Sequence, residues 1–441
     1  MKFINTLKDI FKIEELKNKI LLTIGLIAVY RFMAAVPLPG IDPLQLSALK
    51  ESTSGGLLGL LNAFTGGAFA RASVMALGIM PYISASIVVQ LMGIAVPYLQ
   101  KLQKDGESGR KKITQITRWL TIVITLVQAP TYITAIKTSF NLPPEAFLVR
   151  GITFWISSII ILTAGTIFAM WLGERITDKG IGNGISLLIT VGIIANFPAA
   201  FLQEFLSKTE NAGAGGLMMV LIEIIVWFVV ILLTVLLVTA VRKIAVQYAR
   251  RTVAGSTQNV AGSRDYIPLK LNAAGVMPII FAQAIMFLPL ALGQKFPILV
   301  GLTDPNGWQY NVIFALLIII FSYFYTAITI PTNKMAEDLK RSGGFIPGIR
   351  PGKDTADRLD SVLSRITFPG SLFLAGLSIL PAIVVQFGVQ QGWSMFYGGT
   401  SLIIMVGVAI DTIQQINSYL LNNHYDGLMK PGNSNRKSNK Q

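Results

Sequence analysis

The chain has 441 residues, 52% of them apolar and 13% charged, with a formal net charge of +15. That composition describes a multi-pass membrane protein and excludes an ordinary soluble fold. With no cysteine and one histidine, His424 in a polar tail, the chain has no thiol chemistry, no Ser–His dyad within a span and no H-E-x-x-H zinc motif; it also lacks a G-x-x-x-x-G-K-[ST] nucleotide loop.

Residues 1–19 are basic and partly amphipathic, which predicts a helix at the membrane surface. Residues 20–36 form the first predicted span, closed by PLPG. A cleaved signal peptide is the rival reading, disfavoured by the long polar lead and by nine further spans. Residues 55–71, GGLLGLLNAFTGGAFAR, are Gly-rich, apolar and too short to cross. Such a piece is expected at membrane depth only where protein buries it or where it lines a cavity.

The second span, 74–96, is poorly made for a lipid-facing helix. Pro81 removes a backbone donor near its start, Ser84, Ala85 and Ser86 allow close helix approach, and Gln90 carries an amide that avoids lipid tails. Ile79, Ile83 and Ile87 recur every four residues and form one apolar ridge. Together with 55–71, this span reads as the centre of a pore. The remaining predicted spans are 116–136, 153–172, 185–201, 217–241, 273–292, 312–330, 366–389 and 398–420, each near the ~20 residues needed to cross hydrocarbon.

Charges inside the spans are few. Arg31, Glu223 and Asp411 lie within them and Arg118 at the start of the third. Each needs a partner or water, because a mid-bilayer charge costs at least ~2.5–3.5 kcal/mol. Arg31 is expected to pair with a carboxylate or a carbonyl, and Glu223 and Asp411 to lean toward the interface. The glycines of 171–186, WLGERITDKGIGNGIS, follow a membrane helix rather than a strand, so a dinucleotide site fails its context. A tight turn capped by Asn183 is the reading.

Ten spans place both termini on one side. The tails and loops of that side hold 29 of the 37 Lys and Arg, the opposite loops 6, and Arg31 and Arg118 are the rest. The positive-inside rule makes both termini cytoplasmic. The loops 242–272 and 331–365 are longer and more basic than orientation requires, so they read as docking surfaces for anionic lipid, ribosomal RNA or an acidic motor protein.

At this point several long motifs agree. ALGIMPYISASIVVQL, DGESGRKKI, WLGERITDKGIGNGIS, IPLKLNAAGVMP, RSGGFIPGIRPG and FYGGTSL stand in the order found in the SecY family, the channel subunit of the bacterial protein-export translocon. The chain resembles that family over nearly its whole length. The resemblance implies an all-α membrane protein of ten spans in two pseudo-symmetric five-span halves, about 1–204 and 205–441, around an hourglass pore. It implies a pore ring of Ile79, Ile83, Ile189, Ile280, Ala284 and Ile404. It also implies a plug at about 55–67 carrying Leu57, Leu58, Leu60, Leu61 and Phe64, and a lateral gate among spans two, three, seven and eight. Polar groups there by position are Ser84, Ser86, Gln90, Gln128, Asn272 and Gln283.

The basic loops resemble the family's docking sites for ribosome and motor, with Arg250, Arg251, Arg341, Arg350 and Lys353 as the candidates. The first loop departs from the pattern: its tip reads TQNVAGS, with Arg264 alone where a basic pair is usual. The implied partners are SecE and SecG, the SecA motor, the ribosome, the signal sequences of preproteins, and membrane lipids. The implied location is the bacterial inner membrane. No cofactor, metal or enzymatic activity is implied. A secondary transporter is the other class compatible with ten spans in inverted halves, and would need more intramembrane carboxylates. A membrane-embedded enzyme lacks a catalytic constellation.

Overall fold

The computed structural model describes residues 13–43, 46, 62, 65–138, 147–149, 151–212, 214–248, 264–292 and 306–429. They divide into two compact units, residues 1–198 with 408–441 and residues 199–407. Among the described residues, eight helices are long and apolar enough to cross a membrane, or nine if one bent pair counts as a span.

In the first unit α1 (Glu14–Ala35) opens with Glu14 and Glu15, acids that suit the positive end of a helix dipole. It packs on α5 (Ile152–Lys179). The second predicted span starts later than the pattern suggested. Residues 65–79 are a chain of turns, and α2 (Met80–Ala95) begins only where Pro81 falls in its first turn, the one place a helix tolerates proline without losing a bond. At Val96 the backbone becomes extended, and α3 (Pro97–Lys104) leaves at 101°. α3 buries Leu99 and Leu102 and exposes Tyr98. The glycines of DGESGR then have physical jobs. Gly106 adopts φ +67°, and Gly109 lies so close to the Leu102 carbonyl that no Cβ fits, which lets α4 (Gly106–Thr138) fold back on α3.

Between α5 and α6 (Gly184–Ala212) the Gly-rich stretch is the predicted turn. Asn183 Oδ1 accepts hydrogen bonds from the amides of Ile185 at 3.1 Å and Ser186 at 3.3 Å, capping α6. Thr23 of α1 and Gln415 of α13 (Gly399–Met429) accept the amides of Ile181 and Gly182, so the turn is held from two sides. The unit's core gathers Leu38, Phe69, Ala72, Tyr132, Ile133, Phe154 and Leu162 around the turns before α2.

The second unit holds α7 (Ala214–Thr239), apolar except for Glu223 and two threonines, α8 (Met277–Leu292), α9 (Trp308–Thr329), α10 (Thr332–Arg341), α11 (Lys353–Gln386) and the short α12 (Gln391–Ser394). α8 realises the seventh predicted span but has 16 residues, because 273–276 form a turn with Gly275 at φ +63°.

The described parts of the basic loops form regular structure. β1 (Val241–Tyr248) pairs antiparallel with β2 (Arg264–Lys270), from Val241↔Lys270 to Gln247↔Arg264. Its far end pairs with β3 (Gly344–Phe345), so the strand order is β2-β1-β3. Pro268 sits on the edge strand β2, where a missing ladder donor is tolerated. One face of β1 joins α10 and α11 in a core of Val246, Leu339, Ile346 and Leu359. The expected all-helical architecture therefore holds in the spans, and both basic loops share one small sheet.

Candidate functional site

The turns before α2 are tied down by polar contacts. Arg31 Nη1 on α1 donates to the Gly66 carbonyl at 2.9 Å, which supplies the partner this charge needs. Gly66 and Gly67 take positive φ, and a Cβ on Gly66 would lie 2.9 Å from Gly192 Cα on α6. Asn196 Oδ1 stands beside Gly67. From α4, Tyr132 Oη donates to the Phe69 carbonyl at 2.7 Å while its ring packs on Phe69 at 4.8 Å. Three helices thus fix the stretch immediately after the proposed plug. The plug residues themselves, Leu57, Leu58, Leu60, Leu61 and Phe64, lie outside the described residues.

Ile79 ends this stretch as the cap residue of α2, and Ile83 follows one turn later, its amide bonded to the Ile79 carbonyl at 3.1 Å. Ile79, Ile189 of α6 and Ile404 of α13 are buried at 4%, 7% and 6% exposure, so none faces an open surface. Ile83 and Ile280 of α8 are half-buried. Ala284 lies on α8, but its side chain is outside the described residues. Ile79, Ile83 and Ile189 belong to the first unit and Ile280, Ala284 and Ile404 to the second.

The polar candidates have different settings. Gln90 Nε2 reaches Ser86 Oγ at 3.5 Å along one face of α2. Ser84, Gln128 and Gln283 are half-buried. Asn272, just ahead of α8, has a buried Oδ1 with no hydrogen-bond partner, an atom that costs ~1–3 kcal/mol to leave so.

A further polar line escaped the sequence reading. Thr117, Thr121 and Thr125 stack every four residues on α4, all buried, each hydroxyl donating to the carbonyl four residues back. Their i, i+4 spacing was the available signal. Arg118, on the next face, makes a two-point contact with Glu174 of α5 at 2.9 and 2.6 Å. Glu223 finds its partner within the chain. Its carboxylate is buried 3.4 Å from Lys208, because α6 brings an ammonium to it. Asp411 is exposed.

Of the docking candidates, Arg341, Arg350 and Lys353 are exposed around a tip whose turns need positive φ at Gly343, Gly348 and Gly352. Arg250 and Arg251 lie outside the described residues. Among the described residues no group of three or more acidic or histidine side chains could hold a metal ion.

Comparison with known proteins agrees with this architecture. The SecY family model matches residues 73–413. The chain is 38% identical over 436 residues to the protein translocase subunit SecY of Streptomyces scabiei, covering 95% of this chain and 98% of that one. It is 40% identical over 431 residues to the subunit of the same name from Haemophilus influenzae, with 95% of each covered. A solved protein conducting channel superposes with TM-score 0.61 at 18% identity, over 94% of both chains. Sec61 in a canine ribosome-channel complex superposes with TM-score 0.56 at 18% identity, again over 94% of both.

Proposed function

The chain belongs to the SecY family, and we propose how its own residues carry out the work of that family's channel subunit. It is the central subunit of a protein-conducting channel in a membrane it crosses many times. Unfolded polypeptide passes through the middle, and apolar segments leave sideways into lipid. The chain does not catalyse a reaction; the driving force is supplied by a separate motor or by the ribosome during synthesis.

In this reading Ile79, Ile83, Ile189, Ile280, Ala284 and Ile404 form the constriction. A collar of branched apolar side chains dewets, so water and ions cross poorly, yet it yields around a passing chain without reading its sequence. The burial of Ile79, Ile189 and Ile404 within a chain of this family is the observation that carries the proposal. The segment 55–67 closes the pore from the side opposite the basic loops. Ser84, Ser86, Gln90, Gln128, Asn272 and Gln283 form a gate seam. Hydrogen bonds between membrane helices average only ~0.6 kcal/mol, so an apolar segment of ~20 residues competes with such a seam.

The two halves of the proposed pseudo-symmetry are residues 1–204 and 205–441. SecE and SecG are the proposed membrane partners. SecA and the ribosome are the proposed cytoplasmic ones, meeting the chain at Arg250, Arg251, Arg341, Arg350 and Lys353. The membrane is the bacterial inner membrane, with both termini cytoplasmic.

The test is reconstitution with SecE in vesicles supplied with a matched SecA and ATP. An unfolded precursor should become protected from added protease only when ATP is present. Equal protection without ATP, or none with it, would overturn the proposal.

A further inference from the structure

At the predicted external end of α4, Lys137 lies in the last helical turn, where a cation suits the negative end of the dipole. Its ammonium stands over three rings, 5.4 Å from the centroid of Phe147, 5.1 Å from Phe154 and 5.3 Å from Trp155. Phe154 and Trp155 belong to the first turn of α5, and Phe147 to the connection ahead of it. Phe147 also meets Phe154 edge-on at 5.7 Å. Aromatic faces are negative and attract a cation, so one side chain draws α4, α5 and their connection together.

The connection passes this hold on to the segment after α1. Ile41 and Phe147 form an antiparallel bridge, and the Leu148 amide donates to the Gly40 carbonyl at 2.9 Å. Gly40 takes φ +95°, and Phe154 lies 3.2 Å from where its Cβ would stand. A second bridge joins Pro37 to Ser73. The Leu38 amide donates to the Ala72 carbonyl at 2.8 Å, and the Val74 amide to the Val36 carbonyl at 3.0 Å. These two bonds flank the Pro37–Ser73 pair, so the missing N–H of proline leaves no gap. Residues 147–148, 36–41 and 72–74 are thus joined in one chain of contacts that begins at Lys137.

What the chain of contacts holds is strained. Ala72 is fully buried at φ +45°, in the left-handed region that a residue with a Cβ enters only at a cost. Such a backbone persists only where its surroundings over-determine it. The Leu38 amide grips it from one side, and from α4 the Tyr132 hydroxyl grips the nearby Phe69 carbonyl. The same stretch ends at Ile79, the cap residue of α2.

We infer that Lys137 is a positioning residue for the seal: gripped by Phe147, Phe154 and Trp155, it clamps 36–41 onto 72–74 and holds the strained approach to Ile79 in place. The inference rests on the reading of Ile79 as part of the constriction. Without the cation the rings lose their hold on α4, the backbone at Ala72 relaxes, and Ile79 shifts.

The absence of cysteine gives the test. Ser73→Cys places a single thiol at a fully buried position, and a buried thiol reacts only when the structure around it opens. The full chain, in mild detergent with its co-purifying subunits, is treated with N-ethylmaleimide. Lys137→Met keeps an apolar stem and removes the charge, and should speed labelling at position 73 about tenfold. The same substitution in the cysteine-free chain should raise resting ion flux in vesicles. Lys137→Arg keeps a cation over the rings and should match wild type in both measurements. A control thiol in the second unit, Ala336→Cys, buried at 2% exposure, should label at one rate in every variant.

Unchanged labelling at position 73 in Lys137→Met overturns the inference, and so does Lys137→Arg labelling as fast as Lys137→Met. Faster labelling of the control thiol would show general loosening and overturns it as well. Faster labelling at 73 with unchanged flux does the same; if Ile79→Asn still raises flux, the constriction reading survives, and if it does not, that reading falls too.

Discussion

Arg31 shows how one contact helps to make a half-buried charge tolerable. Unpaired within α1 it would cost at least ~2.5–3.5 kcal/mol, and its bond to the Gly66 carbonyl offsets part of that cost. Gly66 presents the carbonyl from a left-handed backbone, φ +66°, with Gly192 packed behind it. Gly66→Ala should therefore add strain of ~1–3 kcal/mol besides a steric clash, and lower the thermal midpoint of the purified protein. Gly25→Ala, where nothing lies within 4 Å of the new methyl, should leave the midpoint unchanged or raise it, since glycine inside a helix costs ~0.5–1 kcal/mol. A loss of equal size in both variants would count against the Arg31 contact. The proposed constriction gives a second expectation at this scale. An amide in place of a branched apolar chain favours wetting, so Ile79→Asn and Ile404→Asn should each raise resting ion flux in vesicles. A barrier lowered by only ~1.4 kcal/mol gives about tenfold, and unchanged flux in both variants would remove these residues from the ring.

Elements were legible where the signal was local. Pro81 lay near the start of α2 and Asn183 marked the cap of α6, whereas the fold-back of α4 on α3 at DGESGR was not read from its glycines. The strands were not, for reasons that can be named. β1 alternates only over Ile244, Val246 and Tyr248, β2 contains Pro268, and β3 is two residues long. Each is unconvincing alone; pairing of β1 with β2 within the first basic loop, and of β1 with β3 from the second, turns them into a sheet. The pairing of Glu223 with Lys208 was hidden for a related reason: the two are fifteen residues apart, on α7 and α6. The shared core of the basic loops makes a prediction about the element it stabilises. Leu359→Ala removes a side chain that is 1% exposed in that core, a change that costs ~2–5 kcal/mol. Limited proteolysis should then cut both 242–272 and 331–365 faster, with the spans still protected in detergent. Faster cutting of one loop alone would mean that the two do not share a folding unit.

For the molecule as a whole, the strongest global signal is the placement of charge. The Lys and Arg of the two tails and their side's loops outnumber those of the opposite loops by 29 to 6, and an excess near span ends sets orientation because basic residues resist translocation. The excess is more than orientation uses, since much of it sits on the sheet and on the tip around Arg350. Orientation and docking must therefore be separated by experiment. The absence of cysteine makes that direct. Glu210→Cys and Asp357→Cys place single thiols at exposed positions on two predicted sides of the membrane. In intact cells a membrane-impermeant maleimide should label the thiol at position 210 at once and the thiol at 357 only after permeabilisation. The reverse pattern would invert the topology, turn the basic sheet outward, and leave neither a cytoplasmic motor nor the ribosome a surface to meet. Charge reversal at the tip then reads the second role: Arg350→Glu should weaken ATP-driven transport while leaving the labelling pattern intact, because the spans keep their orientation from the remaining basic residues.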